Sequence, residues 1–304
     1  MWLHLGMSWK ETTNKALDRR LGLQLVRSSS LAQMESQAAA ERTRRPKPRR
    51  PAKKPLPPPI PDKRADSKVT GLPADYGAEF VEIWGLVRHR TMTNHEKGYF
   101  LHQAVRYLVH HQIPGAMVEC GVWRGGSMLN VAHTLTRLSS ADRELYLFDT
   151  FSGMSEPTDR DVHLGRRTSA TDLMETYSRD SKLWAIASLE DVKEGFETVD
   201  YPRERVHFVK GKVEDTIPEQ APEEISLLRL DTDWYASTKH ELAHLYSRLA
   251  PGGILIVDDY GTWKGSKDAT DEFLVETGEP LMLVRAGGGR TAVKPGLSSR
   301  VATT

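Results

Sequence analysis

Five short apolar runs constrain this chain more than any other feature: Ala116–Cys120, Leu145–Asp149, Val206–Gly211, Ile225–Asp231 and Gly253–Asp259. Each is almost continuously apolar rather than alternating, which suits strands covered on both faces in a parallel sheet. Helical stretches separate them. Tyr99–His111 precedes the first run, Gly126–Leu138 follows it, and Ala236–Ala250 lies between the fourth and fifth. Lys267–Thr277 comes after the fifth, stopped by Gly278 and Pro280. Strands alternating with helices predict a doubly wound α/β sheet with helices on both faces. The last segments break the alternation. Leu281–Arg285, then Ala286-Gly287-Gly288-Gly289, then Arg290–Lys294 read as a hairpin, so the final two strands are expected to be antiparallel partners at one edge.

Charge divides the chain. Residues 1–64 carry 15 basic and 5 acidic side chains, and residues 65–304 carry 27 and 36. The near-neutral total of +1 therefore averages a basic arm and an acidic body. The arm is proline-rich, reading Arg44-Arg45-Pro46-Lys47-Pro48-Arg49-Arg50-Pro51 at its centre. Proline removes donors and like charges repel, so residues 1–64 are expected to be a disordered arm. Its readings are a segment that binds polyanions or a membrane surface, a solvated spacer, and sequence upstream of the natural start. The body, 65–304, is long enough for one large domain. A single cysteine, Cys120, excludes an intrachain disulfide. No run approaches the roughly 20 apolar residues of a membrane span. The opening Met1-Trp2-Leu3-His4-Leu5 has no basic stretch before it, so a signal peptide is not expected and the location is expected to be cytoplasmic.

In a doubly wound sheet, ligands bind outside the carboxyl ends of the strands. After the first run comes Glu119-Cys120-Gly121-Val122-Trp123-Arg124-Gly125-Gly126-Ser127. Its glycines let a backbone approach a ligand, and the following helix offers free N–H groups. The spacing is not GxGxxG. Asp149, ending the second run, suits a ribose diol. These two features point to a nucleotide-containing cofactor or to a merely tight turn. The fourth and fifth runs end Asp231-Thr232-Asp233 and Asp258-Asp259. If they are neighbours, four carboxylates converge, repel, and take raised pKa values. A hard divalent cation such as Mg²⁺ or Mn²⁺ would relieve that cost. The alternative is two ordinary acidic turns.

Two motifs point elsewhere. His240-Glu241-Leu242-Ala243-His244 fits HExxH, but Leu242, Leu245 and Leu249 would share the core face of a helix and turn the histidines to water. Asp231-Thr232-Asp233 resembles the DxD of metal-dependent glycosyltransferases, which lack a glycine-rich loop after an early strand.

Taken in order, several motifs resemble the macrocin-type (TylF/MycF/NovP) O-methyltransferases. They are Thr91-Met92-Thr93, Ile113-Pro114-Gly115, the Glu119–Ser127 loop and Asp149-Thr150-Phe151-Ser152-Gly153. Gly211–Pro218, Asp231–Thr238, Pro251-Gly252-Gly253 and Asp258-Asp259-Tyr260 continue the series. The resemblance covers roughly residues 75–295. It implies a class I S-adenosylmethionine-dependent fold and a divalent metal, usually Mg²⁺. It also implies methylation of a hydroxyl on a small molecule, typically a sugar of a natural product, by a homodimer. Carried over by motif, Glu119, Gly121 and Ser127 would line the methionine side of S-adenosylmethionine, and Asp149 would hold the ribose. Val213 and Glu214 would lie beside adenine, and Thr93 would close over the site. Asp231, Asp258 and Asp259 match the metal ligands, with Asp231 also touching the cofactor site, and Asp233 matches the general base. Val213 departs from the aromatic residue common in the family. Met154–Asp200, where the family varies, would shape the acceptor pocket. A reading from another class is a cofactor-binding module without methyl transfer, with the basic arm as an interaction segment.

Overall fold

The structure, a computed structural model, describes residues 71–296. The basic arm and its boundary at 64/65 lie outside those residues. Helices α1 (Ala78–Val87) and α2 (His95–His110) lead into β1 (Ala116–Cys120), α3 (Gly126–Arg137) and β2 (Leu145–Asp149). A short hairpin, β3 (Val162–His163) and β4 (Thr168–Ser169), is followed by α4 (Ala170–Thr176) and α5 (Leu189–Phe196). Then come β5 (Val206–Lys210), α6 (Val213–Thr216), β6 (Ile225–Leu230), α7 (Tyr235–Leu245), β7 (Leu249–Val257) and α8 (Lys264–Thr277). The hairpin β8 (Val284–Ala286) and β9 (Gly289–Val293) completes the main sheet.

That sheet has seven strands in the order β5-β2-β1-β6-β7-β9-β8. The first five are parallel, and β9 and β8 add antiparallel at the edge as expected. Continuous apolar runs arise because successive strand residues enter two different cores. Met117, Leu145, Leu147, Leu227, Ile254 and Ile256 pack with α1, α2, α3 and α5. Val118, Cys120, Phe148, Leu228, Leu230, Leu255 and Val257 pack on the opposite face against Leu242, Leu245 and Tyr246. All six β6 residues are buried, so truncating Leu228 to Ala would cost on the order of 2–5 kcal/mol.

The expected boundary between the helix Ala236–Ala250 and the strand at Gly253 is corrected. The helix α7 ends at Leu245, a 3₁₀ turn covers Tyr246–Arg248, and β7 already starts at Leu249. Ile225 pairs with Leu249 and Leu227 with Ile254, so Pro251-Gly252-Gly253 forms an irregularity within the β6–β7 pairing rather than a break before it. Gly252 has φ +81°, a conformation open to glycine. Lys294 Nζ donates to the carbonyls of Tyr246 and Leu249, satisfying groups the shortened helix leaves behind. The helix α2 starts four residues earlier than expected because Asn94 caps it, accepting from Lys97 N at 2.9 Å.

Candidate active site

Strand order reverses between β1 and β6, where the chain turns from one half of the sheet to the other. One cavity of about 730 Å³ opens at the carboxyl ends there. It is lined by every residue expected at the site: Thr93, Glu119, Gly121, Ser127, Asp149, Val213, Glu214, Asp231, Asp233, Asp258 and Asp259.

Register explains the convergence. Leu230 of β6 pairs with Cys120 on one side and Val257 on the other. The residues that follow, Gly121, Asp231 and Asp258, therefore emerge side by side. Asp231 N donates to the Cys120 carbonyl and Asp258 N to that of Leu230. Gly121 has φ +81°, and a Cβ there would collide with the Asp231 carbonyl. A glycine at that position thus lets β1 and β6 close at their tips.

Glu119 is 1% exposed, with Oε1 accepting from Arg229. Its Oε2 is buried and has no partner among the described residues. Burial pushes this carboxyl up to about 7 against the pull of Arg229. Thr93 Oγ1 is likewise buried without a partner. Asp149 Oδ2 accepts from Val122 N at 2.8 Å and Trp123 N at 3.1 Å, and Oδ1 from Phe151 N at 2.7 Å. It ties the end of β2 to the glycine-rich loop. The Thr150 hydroxyl also approaches Oδ1, at 3.5 Å, the loosest of the four donors, so a ligand hydroxyl there would compete with Thr150. Val213 and Glu214 open α6 on the far side.

Asp231, Asp258 and Asp259 each offer a carboxylate oxygen within 4.8 Å of the others. The expectation of four like charges needs correction, because the buried Arg229 and the half-buried Lys97 lie among them. Arg229 donates to Asp231 Oδ2 and Asp258 Oδ1, both at 2.7 Å, as well as to Glu119. Lys97 reaches Asp258 Oδ2 at 2.5 Å. Burial opposes ionisation of Asp258, yet Arg229 and Lys97 hold it at about 2. Burial and the neighbouring aspartates keep Asp231 and Asp259 well above the usual carboxylate range. Burial, then Asp231, push Asp233 up to about 7. Full ionisation of the cluster is thus disfavoured, and its all-oxygen donor set fits a hard divalent cation, which would favour the ionised forms. Asp233 adopts φ +66°, costing on the order of 1 kcal/mol, and its N–H donates to Asp259 Oδ2 at 3.2 Å.

The HExxH helix makes no metal site. His240 and His244 are half-buried rather than turned to water, and His240 Nε2 donates to the Ile217 carbonyl at 2.9 Å. Glu241 is fully buried and accepts from Thr232 Oγ1 at 2.9 Å, supporting the loop that carries Asp231 and Asp233. A buried glutamate on the same helical turn as Leu242 breaks the simple apolar-face pattern.

Three further residues escaped the sequence reading. Asp191 of α5 takes Arg124 in a two-pronged pair, Nε and Nη2 each at 2.8 Å. Arg90 joins it at 3.1 Å and donates Nε to the Arg124 carbonyl. The glycine-rich loop is thereby clamped from behind. Asp161, fully buried, accepts from Thr158 N and Tyr235 N at 2.7 Å and anchors the Met154–Asp200 segment to the start of α7.

Comparison with known proteins identifies relatives. The profile of the Macrocin-O-methyltransferase (TylF) family matches residues 83–284. The demethyldecarbamoylnovobiocin O-methyltransferase of Streptomyces niveus is 34% identical over 173 residues, 57% of this chain and 63% of that protein, just under two thirds of its length. The 8-demethyl-8-(2,3-dimethoxy-alpha-L-rhamnosyl)-tetracenomycin-C 4'-O-methyltransferase of Streptomyces olivaceus is 32% identical over 190 residues, 62% of this chain and 69% of that protein. Among solved structures, that of the O-methyltransferase NovP superposes with a TM-score of 0.59 at 29% identity, over 68% of this chain and 83% of the other.

Proposed function

Since the chain belongs to the macrocin O-methyltransferase (TylF) family and has its class I fold, we propose that it methylates a hydroxyl of a small molecule, a sugar of a glycosylated natural product, using S-adenosylmethionine and a divalent cation. The observation that carries this reading is one cavity lined both by Glu119, Asp149 and the glycine-rich loop and by Asp231, Asp233, Asp258 and Asp259.

S-adenosylmethionine, when bound, supplies an electrophilic sulfonium methyl group. The free Oε2 of Glu119 and the free Thr93 Oγ1 are buried polar atoms suited to its amino-acid end. Ser127, in the first turn of α3, offers a hydroxyl beside them. A ribose hydroxyl would take the place of the loose Thr150 contact on Asp149 Oδ1, while the other contacts keep Val122 and Trp123 in place. Val213 gives the adenine side an apolar wall and Glu214 a polar edge.

Asp231, Asp258 and Asp259 would hold the cation, which when bound supplies Lewis acidity that eases loss of the hydroxyl proton. Asp233 accepts that proton at a carboxylate oxygen. Its raised pKa suits a base working near neutrality, and the Asp259 contact to its backbone fixes its direction. Alignment of the hydroxyl oxygen with the methyl carbon is chiefly a positioning task, achieved by the rigid strand tips.

The test is turnover of purified protein with S-adenosylmethionine across an acceptor panel, with Mg²⁺ and with excess chelator. Mg²⁺-dependent formation of S-adenosylhomocysteine and of a methyl ether is expected. Full turnover in chelator would remove the metal role, and no turnover with any hydroxylated acceptor would remove the activity.

A further inference from the structure

The wall of the cavity built by residues 154–185 is one-sided in charge. This stretch contains six acidic residues: Glu156, Asp159, Asp161, Asp172, Glu175 and Asp180. None lines the cavity. Five are exposed, and Asp161 is spent inside on Tyr235 N. The basic residues Arg166 and Lys182 do line it, and neither pairs with a carboxylate among the described residues. The single side-chain partner of Arg166 there is the Tyr177 hydroxyl, at 3.4 Å.

The neutral polar groups on the same wall point the same way. His163 Nδ1 accepts from Gly165 N and Arg166 N, both at 3.1 Å. The neutral ring therefore carries its proton on Nε2, which is a donor with no partner among the described residues. Ser181 Oγ lines the cavity, buried and without a partner among the described residues. Met154, Leu173, Leu183 and Trp263 add apolar surface to the same cavity. The cavity thus offers carboxylates at the strand tips, apolar surface, and donors and cations from residues 154–185.

We propose that the acceptor carries an anionic group, a carboxylate or a phosphate, seated at Arg166 and Lys182, with His163 Nε2–H and Ser181 Oγ contacting oxygens nearer the reacting hydroxyl. Guanidinium and ammonium groups bind both anions through charge-assisted hydrogen bonds, so the shared chemistry is an oxyanion. The inference rests on the methyltransferase reading for where the reacting hydroxyl lies, but anion binding is measured separately from methyl transfer.

The experiment titrates phenyl β-glucuronide, glucose 1-phosphate and phenyl β-glucoside into full-length protein by calorimetry, with S-adenosylhomocysteine and Mg²⁺ present. At least one anionic probe should bind ten-fold or more tightly than the neutral glucoside, with affinity falling as salt rises. Which probe does so identifies carboxylate or phosphate as the group. The preference should vanish in the R166Q/K182Q double variant, whose S-adenosylhomocysteine affinity should stay within two-fold of wild type, showing an intact fold. Equal binding of charged and neutral probes to the wild type would overturn the proposal, as would a preference that survives in the double variant. Failure of S-adenosylhomocysteine to bind the wild type would instead remove the cofactor reading. The anion preference would still be read from the same titrations.

Discussion

Lys97 Nζ lies 2.5 Å from Asp258 Oδ2 and 3.1 Å from the Asp258 carbonyl oxygen, so a cation from the first turn of α2 already sits on a carboxylate expected to bind metal. With Arg229 on Oδ1, both oxygens of Asp258 are charge-paired. Lys97 therefore opposes a divalent cation electrostatically. Replacing it with Met should tighten Mg²⁺ binding by several-fold or more, since a unit charge a few ångströms away is worth about 1 kcal/mol or more at a partly screened site. Calorimetric titration of Mg²⁺ into K97M checks this, and weaker binding would mean that Lys97 orders Asp258 for the ion.

Arg229 serves three carboxylates from one guanidinium. Removing it strands buried charge, so Arg229→Met should lower stability by roughly 3–5 kcal/mol. Arg229→Lys should not restore it, because an ammonium cannot fork between partners as the planar guanidinium does. Denaturant unfolding of both variants gives the comparison.

Asp191 touches no residue of the carboxylate cluster, yet it holds Arg124 in the glycine-rich loop. Asp191→Asn should raise the KM for S-adenosylmethionine by about ten-fold through loss of the charged fork, with a smaller change in kcat. Steady-state kinetics separates the two parameters. An equal fall of kcat with unchanged KM would argue against a role in cofactor positioning.

Asp233→Asn removes the proposed proton acceptor while keeping its shape. Turnover should fall by roughly 10²–10⁴-fold. Affinity for S-adenosylhomocysteine should hold, because the cofactor contacts lie elsewhere. Wild-type turnover in this variant would transfer the base role to another group.

Acid stability provides a prediction outside the site. His102 is buried, bonds Thr134 Oγ1 at 2.9 Å, and is pushed down to about 3 by burial, with Arg106 and Arg137 adding to it. Its folded value lies below the ordinary 6.5. Between those values the unfolded chain binds more protons than the folded one, so stability falls as pH drops from about 6.5 toward 3. Thermal melts across that window should show a shallower fall in a His102→Gln variant.

The strands were legible where both faces of the sheet are covered, since β1 and β2 run over the very residues their apolar runs predict. The strand β7 was read short because Pro251-Gly252-Gly253 looks like a terminator, whereas register places it inside the pairing with β6. Acidic residues at strand ends were legible because position alone assigns them to the ligand side of the sheet. Their counter-charges were not. Arg229 interrupts an apolar strand, a signal that a buried ion pair was required, but its partners are set by registers that no local pattern encodes. Lys97 meets Asp258 across 161 residues, and Arg124 meets Asp191 across 67. Such long-range pairs need the folded topology.

The central claim is that the cavity between β1 and β6 is built for S-adenosylmethionine, and it can be tested before any acceptor is known. Calorimetric titration of S-adenosylhomocysteine into the purified chain should give saturable one-to-one binding that is strongly weakened by Asp149→Ala. Absence of saturable binding to the wild-type protein, or binding indifferent to Asp149→Ala, would contradict it.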